Sequence, residues 1–311
     1  MPNTCDEGTQ AIRHVWPRVS GLETALFLRQ RKQLLMSNQN QLDGKELEGA
    51  FWRLYRDFFD QAERRRRWSV RDDIPWDQCN KNLNPAVADV VESFCAVELY
   101  LPDYTAKILP VVRNSRGRVW FYANWGYEES KHSLVLADWL LRSGHRTDEQ
   151  MADLEKNVYE REWNLPQDSQ LGMLVYAMVQ ELATGLNYRN LRRRVQENGG
   201  DPALDKLLML VSVDEQAHYS FFREGVQLFL KHDPEATLEQ MRRVMNNFSM
   251  PAIHDMADSR KRVAQIKSLE IFSEDIYYRE VYLPVLAALN VDRREMRQRL
   301  PARKSEAVQA P

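Results

Sequence analysis

Two short segments of the sequence constrain its fold and chemistry more than any other feature. In each, a Glu precedes a His by three positions: Glu129 with His132, and Glu215 with His218. On an α-helix, residues at this spacing lie on one face about one turn apart, so the carboxylate and the imidazole can bind one metal ion together. A single motif of this kind arises often by chance in a charged helix. The chain holds only 6 His, however, and two of them fall in this pattern within helical sequence.

Two further segments place a lone Glu on an otherwise apolar helical stripe. Glu98 shares its stripe with Val87, Val91, Phe94 and Leu101, and Glu181 shares its stripe with Leu174, Ala177, Thr184 and Tyr188. A Glu on a buried stripe is seldom tolerated unless it is paired or binds a metal ion. Taken alone, each acidic residue could be a partly exposed carboxylate, and each His a satisfied core or surface histidine. Their common order along four helices favours a metal site.

The order Glu, Glu-x-x-His, Glu, Glu-x-x-His matches the ligand pattern of ferritin-like di-metal carboxylate proteins. The predicted ligands are Glu98, Glu129, His132, Glu181, Glu215 and His218. Four carboxylates and two imidazoles suit two iron ions or an iron–manganese pair, and they suit four-coordinate zinc less well. Glu128 and Asp214 adjoin the ligands but lie on another helix face, which makes them either outer partners of the site or surface residues.

These patterns predict an all-α fold, with a ferritin-like four-helix bundle core and additional packed helices. The low Gly count, 12 in 311 residues, and the absence of alternating apolar segments argue against β-structure. Residues 1–42 are predicted to form a partly disordered N-terminal arm, residues 43–290 the ferritin-like di-iron domain, and residues 291–311 a charged tail. Pro102 predicts a kink four residues after Glu98.

Composition narrows the class of protein. The formal net charge of −2 and the pI of about 6.4 give no global indication of nucleic-acid binding. No apolar run approaches the roughly 20 residues that a transmembrane helix needs. The three cysteines, Cys5, Cys79 and Cys95, lack metal-like spacing, and the N-terminus lacks the pattern of a secretory signal. We therefore expect a cytoplasmic protein without a transmembrane segment or nucleic-acid partner.

Arginine is concentrated at the ends of two predicted helices. The first cluster is Arg64, Arg65, Arg66 and Arg67, and the second is Arg189, Arg192, Arg193 and Arg194. Such clusters can be solvated helix ends that complement the helix dipole, or they can form a surface for an anionic partner. The sequence leaves both interpretations open.

The motifs resemble those of the soluble acyl-carrier-protein desaturases of the stearoyl type. That family carries a Glu-Glu-x-x-His and an Asp-Glu-x-x-His, which stand here at 128–132 and 214–218. Glu98 with the following Leu101-Pro102, the segment from Gln180 to Thr184, and Ser249-Met250-Pro251-Ala252 are also similar to family segments. The resemblance covers roughly residues 45–290 and leaves the N-terminal arm unexplained.

The resemblance implies an oxygen-dependent di-iron enzyme that introduces a cis double bond into an acyl chain on acyl carrier protein. It also implies a ferredoxin-like electron donor and a homodimer. Thr184 would lie beside the oxygen-binding side of the irons, and Trp68 and Asp214 would belong to a route for electrons from the surface. An acidic carrier protein would be attracted to one of the two arginine clusters.

The chain also departs from the plant members of this family. Lys131 stands where an Arg is usual, Gln216-Ala217 replaces a basic pair, and Gly185 replaces a bulky aromatic residue, which could reshape the cavity beside the irons. These departures suggest a bacterial or divergent member and leave chain length and double-bond position open. The alternatives are another di-iron oxygenase, such as a hydroxylase or N-oxygenase, and a non-catalytic ferritin-like metal-binding protein.

Overall fold

A computed structural model describes residues 44–250, 253–254, 256 and 258–297 of the chain. Its helices are α1 (Lys45–Arg65), α2 (Pro85–Glu98), α3 (Leu101–Val112), α4 (Arg116–Arg142), α5 (Asp148–Tyr159), α6 (Gln170–Glu197), α7 (Pro202–His232), α8 (Pro234–Met245), α9 (Ser259–Ser268), α10 (Glu274–Ile276) and α11 (Leu283–Leu289), with a 3-10 turn at Trp76–Gln78 and a π-helical segment at Tyr277–Tyr282. The described residues contain no β-strand, so the predicted all-α class is confirmed.

Helices α2, α4, α7 and α6 form a closed four-helix bundle, in which each packs against the next and α6 returns to α2. Helix α1 lies outside this bundle and crosses α4 and α7. Gly117 makes the crossing of α1 and α4 possible, because a Cβ at this position would lie 2.3 Å from the carbonyl carbon of Phe51. The predicted ferritin-like core with additional helices is thereby confirmed.

The helix starts follow the local sequence. The side chains of Asn84, Asp201 and Asp233 accept hydrogen bonds from the first turns of α2, α7 and α8, and a Pro follows each of them. Pro102 does not kink a continuous helix, as the sequence suggested. Instead, α2 ends at Glu98 and Pro102 lies in the first turn of α3, where its missing N–H group is not needed.

Two features at the C-terminal side shape the surroundings of the bundle. Arg262 of α9 donates hydrogen bonds to Glu92 (2.8 Å) and Ser93 (3.0 Å) and so fastens α9 against α2. Part of the predicted tail also belongs to the packed fold, since Met296 is buried and the Glu295 carbonyl accepts a hydrogen bond from Arg242. The rest of the tail, from 298, and the predicted N-terminal arm lie outside the described residues.

No helix among the described residues has both the length and the apolar composition to cross a bilayer.

Candidate metal centre

The six predicted ligand side chains converge in the middle of the bundle. They come from α2, α4, α6 and α7, and all six are at most 6% exposed. They form two groups whose ligand atoms lie within 4.8 Å of one another: Glu98, Glu129, His132 and Glu215 in the first, and Glu129, Glu181, Glu215 and His218 in the second. Glu129 and Glu215 belong to both groups, so each of these two carboxylates would be shared if each group held a metal ion.

The Nδ1 atom of each imidazole faces carboxylates that belong to the six predicted ligands. His218 Nδ1 lies 3.1 Å from Glu129 Oε1 and 3.4 Å from Glu181 Oε2, and His132 Nδ1 lies 3.4 Å from Glu215 Oε1. Glu129 Oε1, Glu215 Oε1 and His218 Nδ1 nevertheless make no hydrogen bond. Buried polar atoms without hydrogen bonds are unfavourable unless a cation compensates them. The cluster therefore fits a di-iron centre, for which oxygen and imidazole ligands are well suited.

Burial gives this cluster an unusual electrostatic character. It raises the pKa of Glu98 and of Glu181 well above the usual range, and the charges of Glu129 and Glu215 respectively add to the effect. Burial alone would lower the pKa of His132, but the surrounding carboxylates outweigh it and raise that pKa. Four carboxylates packed this closely repel one another, and two divalent cations would remove that repulsion.

Glu128 and Asp214 are outer partners of the site and not surface residues. The Nε2 atom of His218 lies 2.7 Å from Glu128 Oε2, and the Nε2 atom of His132 lies 3.4 Å from Asp214 Oδ2. Both carboxylates are fully buried. An imidazole held through Nε2 in this way has a fixed ring orientation, with its Nδ1 atom directed at the candidate ligand carboxylates.

Two hydrogen bonds that the sequence did not reveal hold the lone glutamates. The Tyr188 hydroxyl donates to Glu98 Oε1, and the indole of Trp125 donates to Glu181 Oε1 at 3.1 Å. Tyr188 shares the predicted apolar stripe of Glu181, but the Glu98 carboxylate to which it donates lies on α2. Helical spacing can place a side chain on the face that points to the site, but it cannot identify a hydrogen-bond partner on another helix.

Trp68 lies next to the metal cluster through Asp214. Its indole nitrogen donates to Asp214 Oδ2 at 2.7 Å, and the same oxygen faces His132. The ammonium of Lys131 lies 4.4 Å from the centre of the Trp68 ring. The residues proposed from the sequence for an electron route thus form one contiguous row that ends at a candidate ligand.

The structure divides each arginine cluster between exposed side chains and side chains paired with carboxylates. Arg64 and Arg65 are exposed, but Arg66 and Arg67 turn inward to Glu128, so these two do not form an outward docking surface. In the second cluster Arg192 pairs with Asp205 and Arg194 with Glu197, whereas Arg189 and Arg193 are exposed.

A cavity of about 320 Å³ reaches the cluster from the side of α9. Glu98, Thr184 and Tyr188 line it together with Asn187 and with Ile266 of α9. Thr184, which the resemblance assigns to the oxygen-binding side of the irons, thus shares this cavity with the candidate ligand Glu98. Most of the remaining lining is apolar, contributed by Phe94, Val97, Phe248, Met250, Ile253, Val263, Phe272 and Tyr277.

Gly185, where the sequence suggested a reshaped cavity, is not among the residues that line this cavity. A Cβ at this position would lie 3.1 Å from the Cβ of Glu215. The residue therefore faces α7, and its lack of a side chain lets α6 approach a candidate ligand closely.

Comparison with known proteins agrees with this architecture. The sequence profile of the family described as "Fatty acid desaturase" matches residues 67–303. DesA1 of Mycobacterium tuberculosis, named an acyl-[acyl-carrier-protein] desaturase, is 23% identical over 250 residues, which cover 73% of this chain and 72% of that protein. The seed-specific stearoyl-[acyl-carrier-protein] 9-desaturase of Brassica napus is 32% identical over 177 residues, which cover 51% of this chain and 42% of that protein.

Among solved structures, DesA2 of M. tuberculosis has a TM-score of 0.60 at 17% identity, over 79% of this chain and 95% of that one. A mutant R2-like ligand-binding oxidase with a Mn/Fe cofactor has a TM-score of 0.52 at 16% identity, over 78% of this chain and 94% of that one. These likenesses support the fold. The resemblance seen in the sequence is confirmed, and the mycobacterial relative covers more of the chain than the Brassica one.

Membership of this family makes the protein an oxidoreductase. Since the family profile spans well over half of the 311 residues, the chain belongs to the fatty acid desaturase family.

Proposed function

We propose that this protein is an oxygen-dependent di-iron desaturase, which introduces a cis double bond into an acyl chain carried on acyl carrier protein. The observation that carries the proposal is the largely apolar cavity that Glu98 and Thr184 line, since Glu98 also belongs to the buried carboxylate cluster. An unactivated acyl chain needs such an apolar and water-poor passage to bring its carbons to an oxidant. The similarity to DesA1 and to the Brassica desaturase supports the carrier-bound substrate.

The reaction removes one hydrogen from each of two adjacent carbons. Two C–H bonds break and a C=C double bond forms. Dioxygen accepts these two hydrogens, together with two electrons from the donor and two protons, and leaves as two water molecules. The two iron ions, when bound and reduced, supply the oxygen-activating chemistry.

The side chains around the cavity have separate tasks in this proposal. Glu98, Glu129, His132, Glu181, Glu215 and His218 hold the metal ions. The apolar wall orients the acyl chain and excludes water from the reacting carbons. The hydroxyl of Thr184 would donate a hydrogen bond on the oxygen-binding side of the irons, a role that its place in the cavity lining together with Glu98 supports. Electrons from a ferredoxin-like donor would pass by way of Trp68, Asp214 and His132, the row that ends at the cluster.

Product analysis tests this function directly. The iron-loaded protein, supplied with ferredoxin, ferredoxin reductase and dioxygen, should convert stearoyl- or palmitoyl-carrier protein into a monounsaturated product. A hydroxylated chain would instead identify another di-iron oxygenase on the same scaffold. Failure to oxidise any acyl chain, with two irons bound, would favour a metal-binding protein without this activity.

The second arginine cluster is the better candidate for docking the acidic carrier. Asn190 and Arg194 of α6 donate hydrogen bonds to the carbonyls of Ile271 and Leu269, in the turn that leads to the cavity-lining Phe272. The exposed Arg189 and Arg193 belong to the same helix end. By contrast, Arg64 and Arg65 stand at the end of α1, next to the segment that contains Trp68.

Reversing the charge of Arg189 and Arg193 together should raise the KM for acyl-carrier substrate about tenfold at low salt, because exposed charges steer association of oppositely charged partners. The turnover number should change little, since these side chains act on encounter. Steady-state kinetics at several salt concentrations provide the measurement. Arg64→Glu with Arg65→Glu is the matched control and should leave this KM unchanged. If the KM rises in the Arg64→Glu, Arg65→Glu variant and not in the Arg189, Arg193 variant, the docking surface lies at the end of α1 instead.

We also propose that the protein is a homodimer that pairs through α4. Trp120, Tyr127 and Leu134 are 52%, 55% and 57% exposed and recur every seven residues along this helix. Small residues stand between them at Ala123 and Ser130, in the spacing of a helix–helix seam. A second copy of the same helix would complement such a seam and would cover an apolar stripe that single chains rarely expose.

Leu134→Glu should convert the dimer into a monomer, because the interface would have to bury a charged carboxylate from each chain. Sedimentation equilibrium at micromolar concentration would show this change. Tyr159→Glu is the control, since Tyr159 is 64% exposed but lies on α5, away from the seam. A wild-type monomer at this concentration, or dissociation by both variants alike, would contradict pairing through α4.

A further inference from the structure

Arg66 occupies an unusual position at the end of α1. Its Nη1 atom lies 2.5 Å from Asp214 Oδ1 on α7, and its Nη2 atom lies 3.2 Å from Glu128 Oε1 on α4. The side chain is only 11% exposed. One guanidinium thus joins two buried carboxylates that belong to different helices of the bundle.

The two carboxylates have different partners on their inner side. Asp214 faces His132, and Glu128 faces His218. Arg66 therefore contacts both the carboxylate that holds His132 and the carboxylate that holds His218. Its guanidinium also lies 4.9 Å above the Phe58 ring, which restricts the orientation of the guanidinium plane.

Other cations near this network do not make the same connection. Arg67 pairs with Glu128 and Glu63, and the ammonium of Lys131 lies over the Trp68 ring. Within the described part of the chain, Arg66 alone forms ion pairs with both Glu128 and Asp214.

We propose that Arg66 is a positioning residue, whose guanidinium fixes Asp214 and Glu128 together and thereby orients both metal-facing imidazoles. The inference rests on the di-iron centre of the proposed function, but it does not depend on the reaction or on the acyl substrate. The planar fork of an arginine can hold two carboxylates at defined angles, whereas the single ammonium of a lysine acts as a point charge.

Anaerobic titration with ferrous iron, in competition with a chromogenic chelator, tests the proposal without any turnover. Loss of an outer partner commonly lowers metal affinity 10- to 100-fold, and loss of Arg66 would leave both outer partners in place but release them from their shared cation. Arg66→Met should therefore weaken both iron positions, each by about tenfold or more. Arg66→Lys should keep one carboxylate in place and weaken mainly one position, so that a two-step binding curve replaces a single step. Arg56→Met, an exposed arginine on the same helix, is the matched control and should bind iron like the wild type.

A wild-type binding curve for Arg66→Met would overturn the proposal, and so would an equal loss of affinity in Arg56→Met. If Arg66→Met does not fold, Arg66→Lys decides the question, because an unchanged single-step curve in that variant excludes the positioning role.

Failure of the proposed function is distinguishable from these results. A wild-type protein that binds two irons but forms no unsaturated product refutes the reaction and leaves the role of Arg66 intact. A wild-type protein that binds no iron refutes the centre itself.

Discussion

Replacement of Glu215 by Ala should remove both iron ions, whereas replacement of Glu98 by Ala should remove only one. The difference follows from the geometry of the cluster. Glu215 and Glu129 belong to both groups of converging ligand atoms, and Glu98 belongs to one. A carboxylate between two metal ions supports both of them, and its loss also restores much of their mutual repulsion. Glu129→Ala should therefore behave like Glu215→Ala, and Glu181→Ala like Glu98→Ala.

Iron content per chain after reconstitution and gel filtration provides the measurement. The wild type should retain two irons, the Glu98 and Glu181 variants about one, and the Glu129 and Glu215 variants none, in accordance with the ligand count of such sites. Circular dichroism should show unchanged helix content, since the apolar stripes of the bundle remain. A Glu215→Ala variant that retains two irons would refute the assignment of the shared carboxylates.

The convergence of the candidate ligands could be predicted in part because their spacing reflects local helix geometry. Residues three positions apart share a helix face whatever the rest of the fold does, so Glu129 and His132 had to point in one direction if their segment was helical. The same argument fails for the network outside them. Arg66 is 62 positions from Glu128 and 148 positions from Asp214, and only the packing of α1 across the bundle brings them together.

The run of four arginines illustrates the same limit. From the sequence it could be a solvated helix end or a docking surface. The structure divides it between two environments, since Arg64 and Arg65 face solvent and Arg66 and Arg67 face buried carboxylates. The boundary falls where α1 ends, because the chain leaves the helix there and turns inward toward Trp68. Composition alone carries no information about this turn.

Gly185 shows how a position beside a predicted site residue can have another role than the sequence suggested. Its neighbour Thr184 lines the cavity, and the missing aromatic side chain suggested a reshaped cavity. On a helix, however, consecutive residues point about 100° apart, so Thr184 and Gly185 face different partners. Gly185 faces α7, with the Cβ of Glu215 and the carbonyl of Ser212 within reach of an added Cβ.

Gly185→Phe should therefore destabilise the protein and deplete its iron, instead of only altering the length of acyl chain that it accepts. The added ring would have to separate α6 from α7 next to Glu215, and overpacking of a close helix contact costs about 1–3 kcal/mol. Because Glu215 belongs to both ligand groups, its displacement should weaken both iron positions. Gly185→Ala, with a contact of 3.1 Å to relieve, should show the same changes to a much smaller degree.

Denaturant unfolding of the apo protein and the iron content of the reconstituted protein measure the two effects separately. Gly49→Phe is the control for introducing the same side chain, since an added Cβ at Gly49 meets only the flexible Arg53 guanidinium at 3.5 Å. The Gly49 variant should bind two irons and lose little stability. A Gly185→Phe variant that retains both irons and converts acyl chains of a different length would show that the side chain turns into the cavity. The close approach of α6 and α7 at Glu215 would then not be required for the metal centre.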